Sequence, residues 1–129
     1  MLRILIADDH QIVRDGLKSI FDEEPDMVVT GEACDGQEVL DMLSKETYDL
    51  LLLDVTMPRK NGFEVLKELK PSFPSLPVLI LSMHEPKQYI DRALKAGASG
   101  YLTKSSAPDH LVSTIRRMFY GQSRTASLV

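Results

Sequence analysis

Polar residues stand where the apolar runs of this chain stop. Asp8 and Asp9 follow Leu2–Ala7, Asp54 follows Leu50–Leu53, Ser82 closes Val78–Ser82, and Lys104 follows Gly100–Thr103. Three carboxylates gathered in one crevice repel one another, so a fold tolerates them only with a cation or with raised pKa values. A small set of hard oxygen ligands selects Mg2+, which keeps several waters and takes one or two carboxylates plus phosphate oxygens. A lysine adds a mobile point charge suited to a phosphoryl oxygen, and a hydroxyl can donate a hydrogen bond to the same group. An aspartate can itself be the nucleophile, forming an acyl phosphate. Together these residue types describe aspartyl phosphorylation, with Mg2+ and Lys104 neutralising charge as the phosphoryl group arrives.

That chemistry needs elements that bring distant residues to one rim. Asp49–Pro58 (Asp-Leu-Leu-Leu-Leu-Asp-Val-Thr-Met-Pro) supplies the centre. Its unbroken apolar run suits a strand buried on both faces, and Pro58 and Asn61-Gly62 mark a loop beyond Asp54. Leu2–Ala7 and Met27–Ala33 read as the first two strands, Val78–Ser82 as the fourth and Gly100–Thr103 as a short fifth. Between them lie helical patterns. Val13, Leu17, Ile20 and Phe21 recur on one face, and Asp35 with Glu38 resembles a capping box before Leu40 and Leu43. Val65, Leu66 and Leu69 carry the third helix. Pro86 suits the first turn of the fourth, with Ile90, Ala93 and Leu94 inward and Gly97 just past its end. Leu111, Ile115 and Met118 form the stripe of the last helix.

Strands alternating with helices imply βαβ units and a parallel sheet covered on both faces. Right-handed crossovers leave a doubly wound α/β (βα)5 domain as the natural solution. In the flavodoxin-like strand order 2-1-3-4-5 the binding crevice lies between strands one and three, at their carboxyl ends. That order brings Asp8, Asp9 and Asp54 together, flanked by Ser82 and Lys104. The second strand ends only in Ala33-Cys34.

The 129 residues suit one core. At 43% hydrophobic and 26% charged the chain is too apolar for disorder. A net charge of -4 makes bulk-charge binding to nucleic acid or anionic membrane a poor fit. Single Cys34 excludes an internal disulfide and a multi-cysteine zinc site, and it reads as small buried filler. No apolar run approaches the ~18 residues needed to cross a bilayer, and Asp8 and Asp9 come too early for a signal peptide. A cytoplasmic protein without membrane contact is the expectation. His10 and His84 read as solvated loop histidines, since no third metal ligand lies at useful spacing; Arg59-Lys60 reads as a solvated loop and His110 as exposed.

Four motifs in order carry a resemblance over roughly residues 2–120. Leu2–His10, Asp54–Pro58, Leu81-Ser82 and Gly100–Lys104 resemble the receiver domains of two-component response regulators. Ala7-Asp-Asp-His10 and Gly100-Tyr-Leu-Thr-Lys104 look most like the NarL/FixJ class, whose LuxR-type output domain is a DNA-binding helix-turn-helix. The resemblance implies Asp54 as phosphoacceptor. It implies Mg2+ held by Asp9, Asp54 and the backbone carbonyl of Thr56, with Asp8 acting through a metal-bound water. Lys104 would pair with the phosphoryl group, Ser82 would swing toward it, and Tyr101 would follow inward. It further implies a sensor histidine kinase as partner, small phosphodonors as alternative sources, and homodimerisation as a candidate response. Residues 1–120 would form the receiver and 121–129 a tail or the start of a linker to an output domain, through which alone DNA would be bound. Thr56 and His84 occupy positions that tune phosphoryl lifetime in the family. In many receivers proline follows the lysine through a cis bond; here Ser105 follows, where a cis bond would cost ~3 kcal/mol.

Other functions fit the residues less well. A haloacid dehalogenase-like phosphatase uses Asp-x-Asp-x-Thr, and Asp54-Val55-Thr56 lacks the second aspartate. Flavin or nucleotide binding on this fold lacks a glycine-rich loop, and Asp8-Asp9 would repel phosphate there. A degenerate receiver is opposed by the complete acidic set. A stand-alone receiver acting through protein contacts remains the nearest alternative. In either case the module is a switch, not an enzyme beyond its own phosphorylation and slow dephosphorylation.

Overall fold

The computed structural model describes residues 1–55, 57, 61–83 and 87–120. Five strands alternate with five helices: β1 (Leu2–Ala7), α1 (Gln11–Asp22), β2 (Met27–Ala33), α2 (Gly36–Lys45), β3 (Leu50–Asp54), α3 (Gly62–Leu69), β4 (Val78–Ser82), α4 (Lys87–Lys95), β5 (Gly100–Thr103) and α5 (Ala107–Tyr120). The strands form one parallel sheet in the order β2-β1-β3-β4-β5. The expected doubly wound α/β fold, with its strand order, is the fold observed.

Strand alternation divides the core in two. Leu5, Leu51, Leu53, Val78 and Ile80 face α2, α3 and α4, where Val39, Leu43, Phe63, Leu66, Leu69 and Ala93 meet them. Ile4, Ile6, Leu50, Leu52, Leu79 and Leu81 face α1 and α5, against Leu17, Phe21, Leu111 and Ile115. All five residues of β3 are buried, as an apolar run flanked by strands and covered twice requires. β2 carries a bulge: Ile4 pairs with Val29 but Leu5 with Gly31, so Thr30 has no opposite residue.

Several local expectations need correction. Asn61 and Gly62, read as loop, start α3: Asn61 caps the helix in a full capping box with Glu64, and Gly62 is its first residue. Asp35 caps α2 by accepting from the Glu38 N–H, but Glu38 reaches back to the N–H of Cys34 rather than of Asp35. On α2, Leu43 and Val39 are buried and Leu40 is half-buried against the same cluster, so Val39 is the residue the expected face lacked. Leu94 is 49% exposed, while Ala93 is fully buried. The two lie 100° apart around the helix, so with Ala93 turned to the core Leu94 points away from it. Cys34 is exposed, because it follows the last residue of an edge strand instead of standing within one. Gly97 ends α4 with φ of 107°, the left-handed conformation that favours glycine. His110 is exposed, as expected. Pro86, His84, Arg59-Lys60 and 121–129 lie outside the described residues. No helix among the described residues is long and apolar enough to cross a membrane.

Candidate functional site

Asp8 and Asp54 extend neighbouring strands past their last core residues, on the face that carries Ile6 and Leu52. Both are almost wholly buried, at 1% and 2% exposure. β5 ends one residue before Lys104, which continues on the face of Leu102 and turns back over the sheet. Lys104 Nζ lies 2.7 Å from Asp8 Oδ2 and 3.2 Å from Asp54 Oδ1. One ammonium therefore joins the two acids across the crevice between β1 and β3. Burial by itself would lower the Lys104 pKa, but the Asp8 hydrogen bond and the Asp54 and Asp8 charges together carry it above its ordinary value.

Hydroxyls shape the turn that delivers Lys104. Residues Lys104–Ser106 form a single tight helical turn. Ser106 Oγ donates to the Thr103 carbonyl at 3.0 Å, and Thr103 Oγ1 lies 3.1 Å from Ser106 Oγ and 3.3 Å from Ser105 Oγ. No cis peptide bond occurs among the described residues, so the bond after Lys104 is trans. Serine hydroxyls hold the turn where proline was the family pattern.

Asp9 is more open, with 30% of its side chain exposed. It joins the cluster through His10, whose Nδ1 lies 3.1 Å from both Asp8 Oδ1 and Asp9 Oδ1, while the His10 N–H donates to Asp8 Oδ1 at 2.9 Å. The histidine read as merely solvated thus bridges two acids, although its ring stays 64% exposed. Ser82 is buried beside Thr103 in register, on the face of Ile80 and Tyr101 rather than that of Asp54. Tyr101 is half-buried against the α2–α4 side of the core. Thr56, whose carbonyl the sequence put forward as a metal ligand, lies outside the described residues.

Two contacts to site backbone were not anticipated. Gly62 donates to the Val55 carbonyl at 2.8 Å, and a Cβ on it would meet the Asp54 carbonyl oxygen at 2.6 Å. Arg14 Nη1 donates to the Asp8 carbonyl at 2.5 Å. The available signals were a glycine one residue past an Asn cap and an arginine one turn into α1.

The donor set fits a hard divalent cation. Asp8, Asp9 and Asp54 offer only carboxylate oxygens, with one lysine ammonium and one histidine beside them; Asp8 and Asp54 are buried and Asp9 opens to solvent. Ligating atoms of Asp8 and Asp9 lie within 4.8 Å of one another, together with a His10 ring nitrogen, and Asp54 stands across the crevice through the shared Lys104. Mg2+ prefers such oxygens, completed by water and phosphate.

The family model described as response regulator receiver domain matches residues 4–116. The chain is 37% identical over 120 residues to the transcriptional regulatory protein DegU of Brevibacillus brevis, covering 93% of this chain and 51% of that one. It is 35% identical over 123 residues to the oxygen regulatory protein NreC of Staphylococcus epidermidis, covering 95% and 56%. A solved two-component response regulator of the LuxR family from Aurantimonas sp. SI85-9A1 superposes with a TM-score of 0.88 at 35% identity, covering 94% of this chain and 86% of that one. The chain spans about half the length of these curated relatives.

Proposed function

Because the chain belongs to the response regulator receiver domain family, we propose that it is a phosphorylation-dependent switch of a two-component phosphorelay, taking a phosphoryl group from a sensor histidine kinase onto Asp54. The observation that carries this reading is Lys104 Nζ set between Asp8 and Asp54 at the carboxyl ends of β1 and β3. An Asp54 carboxylate oxygen forms the new P–O bond as the bond to the donor's leaving group breaks. Lys104 is already aimed at Asp54 and needs only to turn toward an incoming phosphoryl oxygen. Burial of Asp54 limits water access, which slows hydrolysis of the acyl phosphate. Asp9 and Asp54, with the Thr56 carbonyl, would hold Mg2+, and Asp8 would reach it through water. When bound, the cation neutralises phosphoryl charge during transfer.

Ser82 and Tyr101 share one face of β4 and β5, which suits them to respond as a pair once a phosphoryl group draws the Ser82 hydroxyl. A small local charge change would then bias the α4–β5–α5 surface. Residues 1–120 would be the receiver and 121–129 the start of a linker to a DNA-binding output domain, with homodimerisation as the response and the cytoplasm as the setting. The relatives' being named regulators about twice as long as the matched stretch supports a further, regulatory output region, and that alone.

The test is incubation with acetyl phosphate and Mg2+, followed by intact mass. Gain of one phosphoryl group, absent with a chelator and absent in Asp54→Asn, is expected. An unmodified wild type, or equal gain in the variant, overturns the assignment.

A further inference from the structure

We propose that Arg14 is a positioning residue for the acidic loop, fixing the peptide that joins Asp8 to Asp9, and that Glu32 holds Arg14 in place; the consequence for cation binding rests on the site reading above. The Asp8 carbonyl and the Asp9 N–H belong to one rigid peptide plane. Arg14 Nη1 donates to that carbonyl at 2.5 Å, while the Asp8 N–H donates to the Ala33 carbonyl of β2 at 3.0 Å. Asp8 is thus held on both sides, and the direction in which Asp9 leaves the strand follows from the position of the guanidinium.

That guanidinium is fixed in turn. Its Nε donates to Glu32 Oε1 at 3.1 Å and its Nη2 to Gln11 Oε1 at 2.5 Å, with only 12% of the side chain exposed. Lys18, one turn further along α1, donates to the other Glu32 oxygen at 2.9 Å. A planar fork reaches three separated acceptors from three different nitrogens, whereas an ammonium must make all its hydrogen bonds from a single atom.

The bulge in β2 makes this arrangement reachable. Met27 and Val29 face α1 and α5, yet Ala33 faces the opposite cluster, and Gly31 sits against Tyr48 and Met42 there. Unbroken alternation would put all four odd-numbered residues on one face. The unpaired Thr30 inverts the pattern, so Glu32 lies beneath α1 instead of α2. A bulge beside a site that re-aims one side chain is a familiar use of this irregularity.

The test compares full chains carrying R14M, R14K, E32Q and K18M. K18M removes the second tie between α1 and Glu32 without touching Asp8, so it controls for a merely structural role. In metal-free protein the 15N order parameter of the Asp9 amide is expected to be about 0.85 in wild type and K18M, and below about 0.6 in R14M. Mg2+ titration followed by amide shifts is expected to show affinity weakened about ten-fold in R14M and R14K, less in E32Q, and not in K18M. Where R14M does not fold, R14K decides. An Asp9 amide as rigid in the Arg14 variants as in wild type overturns the proposal, as does K18M matching R14M. A wild type that binds no Mg2+, with Asp9 loosened only in Arg14 variants, refutes the metal reading and leaves the positioning role supported.

Discussion

Asp54 and Asp8 share a single ammonium in a nearly dry crevice, with Asp9 close by. Such a cluster is held at a cost to stability, because like charges are crowded where water screens them little. Asp54→Asn should therefore stabilise the metal-free protein by about 1 kcal/mol, since relieving a strained functional site commonly does so. Added Mg2+ should raise the wild type toward the variant, as a ligand that binds only the native state stabilises it. Urea unfolding with and without Mg2+ checks this; a metal-free variant less stable than wild type counts against the cluster being strained. At this scale the acids and the lysine were legible, because a charged residue ending an apolar run is conspicuous. Cys34 and Leu94 were misread, since their surroundings depend on how the chain returns in space: Cys34 leaves an edge strand and Leu94 lies beside the buried Ala93 but faces outward; His10 is exposed as expected, and only its contacts to two carboxylates were missed.

Elements deliver these residues through a few close approaches. The first turn of α3 passes so near β3 that a Cβ at Gly62 would stand 2.6 Å from the Asp54 carbonyl oxygen and 3.0 Å from Val55 Cα, both backbone atoms that cannot swing aside. Gly62→Ala should cost about 1–3 kcal/mol, as overpacking does. It should also slow phosphorylation by acetyl phosphate, because relief requires moving the Asp54 backbone. Normal kinetics in a folded variant would show that the approach does not position Asp54. At the far end, Arg116 on α5 binds Glu24 at 2.6 Å and Asp26 at 3.0 Å, tying the last helix to the α1–β2 turn. The Arg116 hydrogen bond holds the Asp26 carboxyl below its ordinary value. A depressed carboxylate contributes stability that is present above its unfolded pKa and lost as pH falls through the folded one. Arg116→Gln should thus lower the urea midpoint at neutral pH, and the gap should close below roughly pH 4. A gap that persists in acid contradicts the assignment. Strand and helix order was legible from apolar runs and their spacing. The bulge at Thr30 was not, because Met27–Ala33 reads as continuous strand and only its two partner faces reveal the inversion.

Over the whole molecule, one parallel sheet with its helices split between two faces gives each residue of the site a defined side. Asp8, Asp54 and Lys104 fall on the side of α1 and α5, whereas Ser82 and Tyr101 fall on the side of α2, α3 and α4. In the proposed function Ser82 and Tyr101 would carry the change from the phosphoryl site to the other side of the sheet, while α5, which covers the side of Asp54, would share in the reporting surface. The doubly wound class was readable from alternation and crossover handedness, and the order 2-1-3-4-5 followed only by taking the flavodoxin-like member of that class; which face each residue takes needed the strand pairings themselves. The claim on which the rest depends is that the phosphoryl group bonds to the carboxylate at position 54. Borohydride reduces an acyl phosphate to the alcohol, so treating the acetyl phosphate-labelled protein and mapping its peptides marks the acceptor directly. Homoserine in place of Asp54, and at no other aspartate, is the expected result. Reduction at Asp8 or Asp9, or none in a protein whose mass shows a phosphoryl group, would contradict it.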